Sequence, residues 1–140
     1  MTTSTTDTNY ARVAKRFSMA GRRALVTGGS LSIGRAIVLA FADAGADVAV
    51  QYAPSADTAL QHKDAADTLA AELTARGTRH AFIESDFFQP GSGTRTVQEA
   101  ERLLGGVDVL VLCASVQQRE AFTEISDREL ERQRRINFDA

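Results

Sequence analysis

The chain has 140 residues, 44% apolar and 24% charged, which suffices for one buried core and is too small for two ordinary domains. A formal charge of -2 argues against a nucleic-acid partner, and no apolar run reaches the roughly 18 residues that a membrane span requires. The single cysteine, Cys113, excludes an internal disulfide, and without a His/Cys cluster for zinc the composition is typical of a cytoplasmic protein.

The first residues differ in composition from the rest of the chain. Residues 1 to about 16 are rich in threonine and show no apolar periodicity. Such a segment buries too little apolar surface to offset the entropy of ordering it. We therefore expect a flexible leader over 1–16 and a folded domain over 17–140.

Short apolar runs then alternate with helical patterns. The strands are predicted at 24–27, 48–52, 80–84 and 107–113. The helices are predicted at 33–44, 58–76, 92–104 and from 126 toward the end. Capping-box signatures, Thr58 with Gln61 and Ser126 with Glu129, support two of the helix starts. The alternation predicts a doubly wound, Rossmann-like α/β fold with a mostly parallel sheet of about four strands.

A glycine-rich loop, residues 27–34, joins the first strand to the first helix. Glycines at this place permit a tight turn, and the free amides at the start of the helix attract a pyrophosphate. The alternative interpretation is that these residues form an ordinary connecting loop. The position of the loop between a strand and a helix favours the phosphate-binding reading.

This loop resembles the TGxxxGxG motif of the short-chain dehydrogenase/reductase family. Thr27, Gly28 and Gly34 match the motif, whereas Ser32 stands in place of its middle glycine. The side chain of Ser32 would approach the pyrophosphate, a place where glycine is normally needed. The resemblance extends over about 17–140 and implies the nucleotide-binding part of such an enzyme.

Further residues match the family in the expected order. Asp86 lies where the family binds the adenine amino group, and Phe87 lies where a backbone contact is usual. Of the family's NNAG sequence, only Ala114 is retained at 112–115. Asn137 matches the helix asparagine of the catalytic tetrad, which has a supporting role there.

The resemblance also implies which residues bind the cofactor. They are Thr27, Gly28, Ser30, Leu31, Ser32, Ile33, Gly34, Tyr52, Asp86, Phe87 and Ala114. The second strand ends in Gln51 and Tyr52 and lacks the acidic residue that selects NAD. Arg35 could approach a phosphate, although many helix arginines are simply solvated. The cofactor is therefore expected to be NADP or NAD, with NADP favoured.

The family's acid/base residues have no counterpart in these 140 residues. Tyr10 and Tyr52 are followed four positions later by Ala14 and Ala56, so no Tyr-x-x-x-Lys sequence occurs. A tyrosine whose pKa is lowered by lysine normally moves the hydroxyl proton during hydride transfer. We expect this chain to be a truncated oxidoreductase that is inactive alone.

Functions other than that of an oxidoreductase are compatible with parts of the sequence. A non-catalytic dinucleotide-binding or oligomerising module would tolerate the same departures from the motifs. A phospho-receiver lacks its acidic pair after the first strand, and a methyltransferase fits Tyr52 and Asn137 less well. The absence of neighbours beyond the fourth strand predicts an exposed apolar face and a homo-oligomer.

Overall fold

A computed structural model describes the backbone from Thr5 to Ala140 and the side chains from residue 11 onward. The helices are α1 (Thr5–Phe17), α2 (Ser32–Asp43), α3 (Pro54–Ala59), α4 (Ala65–Ala75), α5 (Ser92–Leu104) and α6 (Asp127–Arg134). The strands are β1 (Arg23–Val26), β2 (Asp47–Tyr52), β3 (His80–Glu84) and β4 (Val109–Val111). A turn of π-helix, Arg135–Asp139, follows α6.

The four strands form one parallel sheet in the order β3-β2-β1-β4. The chain moves outward from β1 through β2 to β3 and then crosses back to place β4 on the other side of β1. This reversal of direction creates a crevice at the carboxyl ends of β1 and β4, where ligands bind in open α/β sheets. The predicted doubly wound, Rossmann-like fold is confirmed.

Helices cover both faces of the two central strands. Val26 and Val50 are fully buried in a cluster that includes residues of α2 and α4. Leu25 faces the opposite side and packs with Ala100 and Leu104 of α5. Burial of each such side chain contributes about 1.5–3 kcal/mol relative to exposure. The β1–β2 pair is thus the stable centre on which the loops at the carboxyl edge are mounted.

The helix predicted over 58–76 begins later, as α4 (Ala65–Ala75), and a separate short helix, α3 (Pro54–Ala59), precedes it. The chain leaves α3 after Ala59, Gln61 adopts a left-handed conformation at φ 64°, and α4 begins at Ala65. The predicted capping box at Thr58 is therefore wrong, because the Gln61 amide donates to the Thr58 carbonyl oxygen at 2.9 Å and closes a turn. The capping box at the start of α6 is confirmed, with the Ser126 hydroxyl accepting from the Glu129 amide at 3.2 Å.

The first helix lies where the sequence predicts a flexible leader. Residues 5–17 form α1, whereas 1–4 lie outside the described residues. Lys15 and Arg16 in its last turn complement the helix dipole, which favours helix without a core. The division at 16 between a leader and a domain stays a prediction. Within the described range, no helix has the length and apolar character needed to span a membrane.

Candidate functional site

A cleft of about 510 Å³ opens at the carboxyl ends of the strands. Its walls come from the loop after β1, the residues after β2 and β3, the segment after β4, and α6. Ten of the residues predicted to bind a cofactor line it: Gly28, Ser30, Leu31, Ser32, Ile33, Gly34, Tyr52, Asp86, Phe87 and Ala114. The structure thus brings together residues that are far apart in the sequence.

Gln51 holds the glycine-rich loop in place from beneath. Its side chain is turned inward and 3% exposed, and its Oε1 accepts a hydrogen bond from the Gly28 amide at 2.8 Å. Its Nε2 donates to the Ser85 carbonyl oxygen at 2.6 Å. One amide therefore connects the loop after β1 to the loop after β3. In the sequence, Gln51 stands out only because it is not the acidic residue that selects NAD, and nothing there predicts this structural role.

Two glycines allow the loop to pack against its neighbours. A Cβ atom on Gly28 would lie 2.8 Å from the Ala114 Cα, and Gly28 has a φ of 60°. A Cβ atom on Gly34 would lie 2.8 Å from the Gly28 carbonyl carbon and 3.0 Å from the Gly29 Cα. Real side chains do not fit at such distances, so both positions require glycine.

Three residues that line the cleft at the start of α2 have unpaired amides. The Arg35 amide bonds to the Leu31 carbonyl oxygen at 3.1 Å, but those of Ser32, Ile33 and Gly34 have no acceptor among the described residues. First-turn amides lack partners within a helix, and the N-cap residue, Leu31, has no side-chain oxygen to supply one. Together with the positive end of the helix dipole, this arrangement favours an anion.

Ser32 occupies a backbone conformation that favours glycine. Its φ is 51°, in the left-handed region, and it is one of two non-glycine residues with positive φ in the described chain. The conformation costs about 1–2 kcal/mol for a residue with a Cβ atom. Ser32 is exposed, so its side chain does not fill the interior of the loop.

Thr27 lies behind the loop rather than in the cleft. It is 4% exposed, and its hydroxyl oxygen accepts hydrogen bonds from the amides of Cys113 and Ala114 at 3.0 and 3.1 Å. Its role is therefore to fix the segment after β4 against the end of β1. This contact brings Ala114 to Gly28, where it forms part of the cleft wall.

Arg35 is not among the residues that line the cleft. Its guanidinium donates to the Ala65 carbonyl oxygen at 2.9 Å and to the Glu72 carboxylate at 2.7 Å. The contact with Arg35 lowers the pKa of Glu72 below its usual range. Because these two partners belong to α4, the suggested approach of Arg35 to a phosphate is wrong.

Asp86 and Phe87 lie at the end of β3. One carboxylate oxygen of Asp86 accepts a hydrogen bond from the Phe88 amide at 2.9 Å, which orients the exposed side chain at the rim of the cleft. Phe87 is 9% exposed and forms an apolar part of the wall. The pair offers a polar group beside an apolar surface, an arrangement suited to a purine base.

A buried pair, Ser30 and Asp57, also belongs to the cleft. The Ser30 hydroxyl donates to the Asp57 carboxylate at 3.0 Å. Burial raises the pKa of Asp57, and the hydrogen bond from Ser30 opposes the rise. Sequence analysis missed Asp57, although an acidic residue about 20 positions after a glycine-rich loop is a recognised signal.

Asn137 lies in the π-helical turn and outside the cleft lining. Its Oδ1 accepts from the Val116 amide, and its Nδ2 donates to the Val116 carbonyl oxygen, both at 2.9 Å. This two-point contact connects the turn to the segment after β4. Val116 and Ile136 do line the cleft, so Asn137 shapes the cleft through its neighbours.

Residues 22–140 match the sequence model of the short chain dehydrogenase family. The chain belongs to this family. The match includes all four strands, the glycine-rich loop and Asn137, so the resemblance found in the sequence is confirmed.

Three relatives illustrate the similarity of this short-chain dehydrogenase to known proteins. The L-rhamnose 1-dehydrogenase (NAD(P)(+)) of a Sphingomonas strain is 34% identical over 84% of the chain and 44% of its own length. A blue fluorescent protein from a metagenomic library, solved with NADPH, is 36% identical with a TM-score of 0.78, over 87% of this chain and 47% of its own. A Burkholderia cenocepacia short chain dehydrogenase, solved with NADP, is 31% identical with a TM-score of 0.78, over 86% and 46%.

The short-chain dehydrogenase chain described here spans less than half the length of these relatives. The part it matches contains the cleft at the carboxyl edge of the sheet. The functions of the full-length relatives can therefore be applied to this chain only as proposals. The residues of the cleft must support each of them.

Proposed function

We propose that this chain binds an NAD-type dinucleotide in the cleft, as the nucleotide-binding part of a short-chain oxidoreductase. The single observation that carries the proposal is the set of unpaired amides at Ser32, Ile33 and Gly34. The three residues that carry these amides line the cleft, and close backbone packing at Gly28 and Gly34 leaves no room there for a side chain. A pyrophosphate is an anion of the size and charge that such a helix start attracts.

The remaining residues divide the cleft into subsites. We assign the adenine to the rim at Asp86 and Phe87, and the adenine ribose to the space between Ser30 and Tyr52. Ala114, held by Thr27, forms the wall along which the second half of the dinucleotide extends. The cofactor would be NAD or NADP, in agreement with relatives described with NADPH, NADP or NAD(P)(+).

The bound cofactor would supply the hydride, and the residues of this chain would hold the cofactor. These 140 residues contain no Tyr-x-x-x-Lys sequence, and Asn137 is bonded to Val116 rather than to the cleft. We therefore propose that the chain alone binds the dinucleotide without transferring a hydride between it and a carbonyl or alcohol. Oxidation of NADPH or NADH with a panel of carbonyl compounds would contradict this proposal.

A non-catalytic, oligomerising module is the second candidate, and one observation favours it. Leu110 and Leu112 of the β4 region are 48% and 73% exposed, where an apolar surface invites association. We propose that the chain forms a homo-oligomer through this face.

A cytoplasmic location is also proposed, supported by the single unpaired cysteine.

Isothermal titration calorimetry with NAD and NADP tests the proposed function. We expect saturable binding of at least one dinucleotide by the 140-residue chain, and loss of binding in Ser32→Asp, because a carboxylate at the open amides repels the pyrophosphate. Aspartate tolerates the left-handed conformation of residue 32, so the variant should fold. Ala40→Asp, exposed on the same helix, is the matched control. Absence of binding by the unmodified chain would overturn the proposal.

A further inference from the structure

Ser32 keeps the backbone conformation of the glycine that it replaces in the loop motif. Its φ of 51° lies in the left-handed region, where a Cβ atom is strained. The other non-glycine residue with a positive φ in the described chain, Gln61, closes a turn through its amide, which donates to the Thr58 carbonyl oxygen. The amide of Ser32 closes no such turn, because it has no acceptor among the described residues. Backbone strain that contacts within the protein do not explain is typical of ligand-binding loops.

The hydroxyl of Ser32 has no partner either, unlike the other hydroxyls of the loop. The Ser30 hydroxyl donates to the Asp57 carboxylate, and the Thr27 hydroxyl accepts from two backbone amides after β4. Both of these side chains are buried and act within the protein. Ser32 is exposed and lines the cleft, and its hydroxyl makes no hydrogen bond within the described part of the chain. Of the hydroxyls in 27–34, that of Ser32 is the one left for a ligand.

A hydroxyl at this position complements the unpaired amides. Ser32 carries an amide and a hydroxyl without partners, and Ile33 and Gly34 add two further amides on the same wall of the cleft. A pyrophosphate offers more acceptor positions than these three amides can fill. A hydroxyl that donates to an ionised oxygen forms a short bond, about twice as strong as one between neutral groups. Glycine at residue 32 would keep the amides and supply no such donor.

We propose that the hydroxyl of Ser32 donates a hydrogen bond to the pyrophosphate of the bound dinucleotide. The contact with the ligand then offsets, in the bound state, the strain that a side chain introduces at this position. The inference rests on the proposed dinucleotide binding and adds a contact that the glycine of the family motif cannot make. NAD and NADP share the pyrophosphate, so the contact is the same for both.

Titration calorimetry with two variants tests this inference, using whichever of NAD and NADP the unmodified chain binds more tightly. Ser32→Ala removes the hydroxyl and keeps the Cβ atom, whereas Ser32→Gly removes both. We expect each variant to bind about tenfold more weakly, a factor equivalent to about 1.4 kcal/mol. Equal or tighter binding by folded Ser32→Gly overturns the inference and leaves the proposed dinucleotide binding standing. An unmodified chain that binds neither dinucleotide overturns the proposed function, so the two failures are distinguishable.

The stability of Ser32→Gly separates a ligand contact from a purely structural role. Glycine adopts the left-handed conformation without strain, so we expect this variant to unfold at a urea concentration at least as high as the unmodified chain does. Loss of stability together with affinity would instead assign Ser32 a structural role and contradict the inference. Ser18→Ala, which removes an exposed hydroxyl outside the cleft, is the matched control and should bind as tightly as the unmodified chain.

The phosphorus nuclei of the bound dinucleotide report the proposed contact directly. We expect the ³¹P resonances of the bound pyrophosphate to differ between the complexes of the unmodified chain and of Ser32→Gly. The resonances in the Ser18→Ala complex should match those of the unmodified chain. If Ser32→Gly fails to fold by circular dichroism, Ser32→Ala provides the same comparison. Identical ³¹P resonances in the unmodified chain and the folded Ser32 variant would contradict the inference.

Discussion

The two sides of the sheet differ in how completely their residues are covered. On β1 and β2, Leu25, Val26 and Val50 are fully buried beneath helices on both faces. On the β4 side, Leu110 and Leu112 remain about half and three-quarters exposed. Both regions have apolar sequences, so the difference arises from their neighbours rather than from their composition.

The loop after β1 is held firmly by its neighbours, whereas the β4 side is left uncovered. The loop at the end of β1 is fixed by Gln51 and by close backbone packing at Gly34. The segment after β4 is joined to the same loop through Thr27. The proposed phosphate site therefore lies on the well-packed side, while Leu110 and Leu112 on the β4 side are exposed.

The largest expected effect comes from Gly34→Ala, which tests the packing of the loop. The new Cβ atom would lie 2.8 Å from the Gly28 carbonyl carbon, and backbone cannot move aside cheaply. We expect the free energy of unfolding, measured by urea denaturation, to fall by about 3 kcal/mol. Gly77→Ala is the control: its new Cβ atom would meet nothing within 4 Å, so only the strain of its left-handed conformation, φ 68°, remains, and it should cost about 1 kcal/mol. Equal losses in both variants would show that the loop is not closely packed.

Gln51→Leu tests the buried amide that connects the two loops. The change leaves the Gly28 amide and the Ser85 carbonyl oxygen without partners, and we expect a loss of about 2 kcal/mol in urea denaturation. Gln118→Leu, whose amide bonds to Glu120 at the surface, should change stability little. A similar loss in both variants would contradict the role given to Gln51.

Thr27→Val tests the contact between the two sides of the sheet. It keeps the shape of the side chain but removes the hydroxyl that accepts from Cys113 and Ala114. We expect a loss of about 1 kcal/mol and faster amide hydrogen exchange at these two residues. Thr27→Ser retains the hydroxyl and should keep slow exchange there. Unchanged exchange in the valine variant would show that the hydroxyl does not hold this segment.

The smallest change in stability is expected for Leu112→Lys on the uncovered face. Leu112 is 73% exposed, so the free energy of unfolding should change by no more than about 0.5 kcal/mol. Self-association, measured by sedimentation, should nevertheless weaken, while Leu60→Lys, at a residue that is 64% exposed on the α3 side of the cleft, should leave it unchanged. An unmodified chain that is monomeric at micromolar concentration would contradict the proposed homo-oligomer.

The sequence predicted the order and type of the main elements because their apolar patterns are local. The strand at 80–84 agrees with β3 (His80–Glu84), and the first and third crossover helices lie where they were expected. The break between α3 and α4 was missed because Gln61 carries no signal for a left-handed turn. The strand predicted over 107–113 is shorter, Val109–Val111, since pairing depends on the partner strand.

Only the part of the site that is formed by motif residues could be predicted from the sequence. The glycine-rich loop, Asp86 and Ala114 do meet in one cleft. Whether a polar side chain points into the cleft or away from it depends on tertiary contacts, which the sequence does not show. Arg35 and Gln51 were therefore misjudged, and Asp57 was missed.

Mapping a bound dinucleotide onto the backbone amides tests the central claim most directly. In ¹⁵N-labelled chain titrated with NAD, we expect the largest chemical-shift changes at the amides of Ser32, Ile33 and Gly34, with smaller changes at Asp86. The amides of α5, on the far side of the sheet, should not move. Shifts confined to residues away from the start of α2, or no shifts at millimolar NAD, would contradict the account.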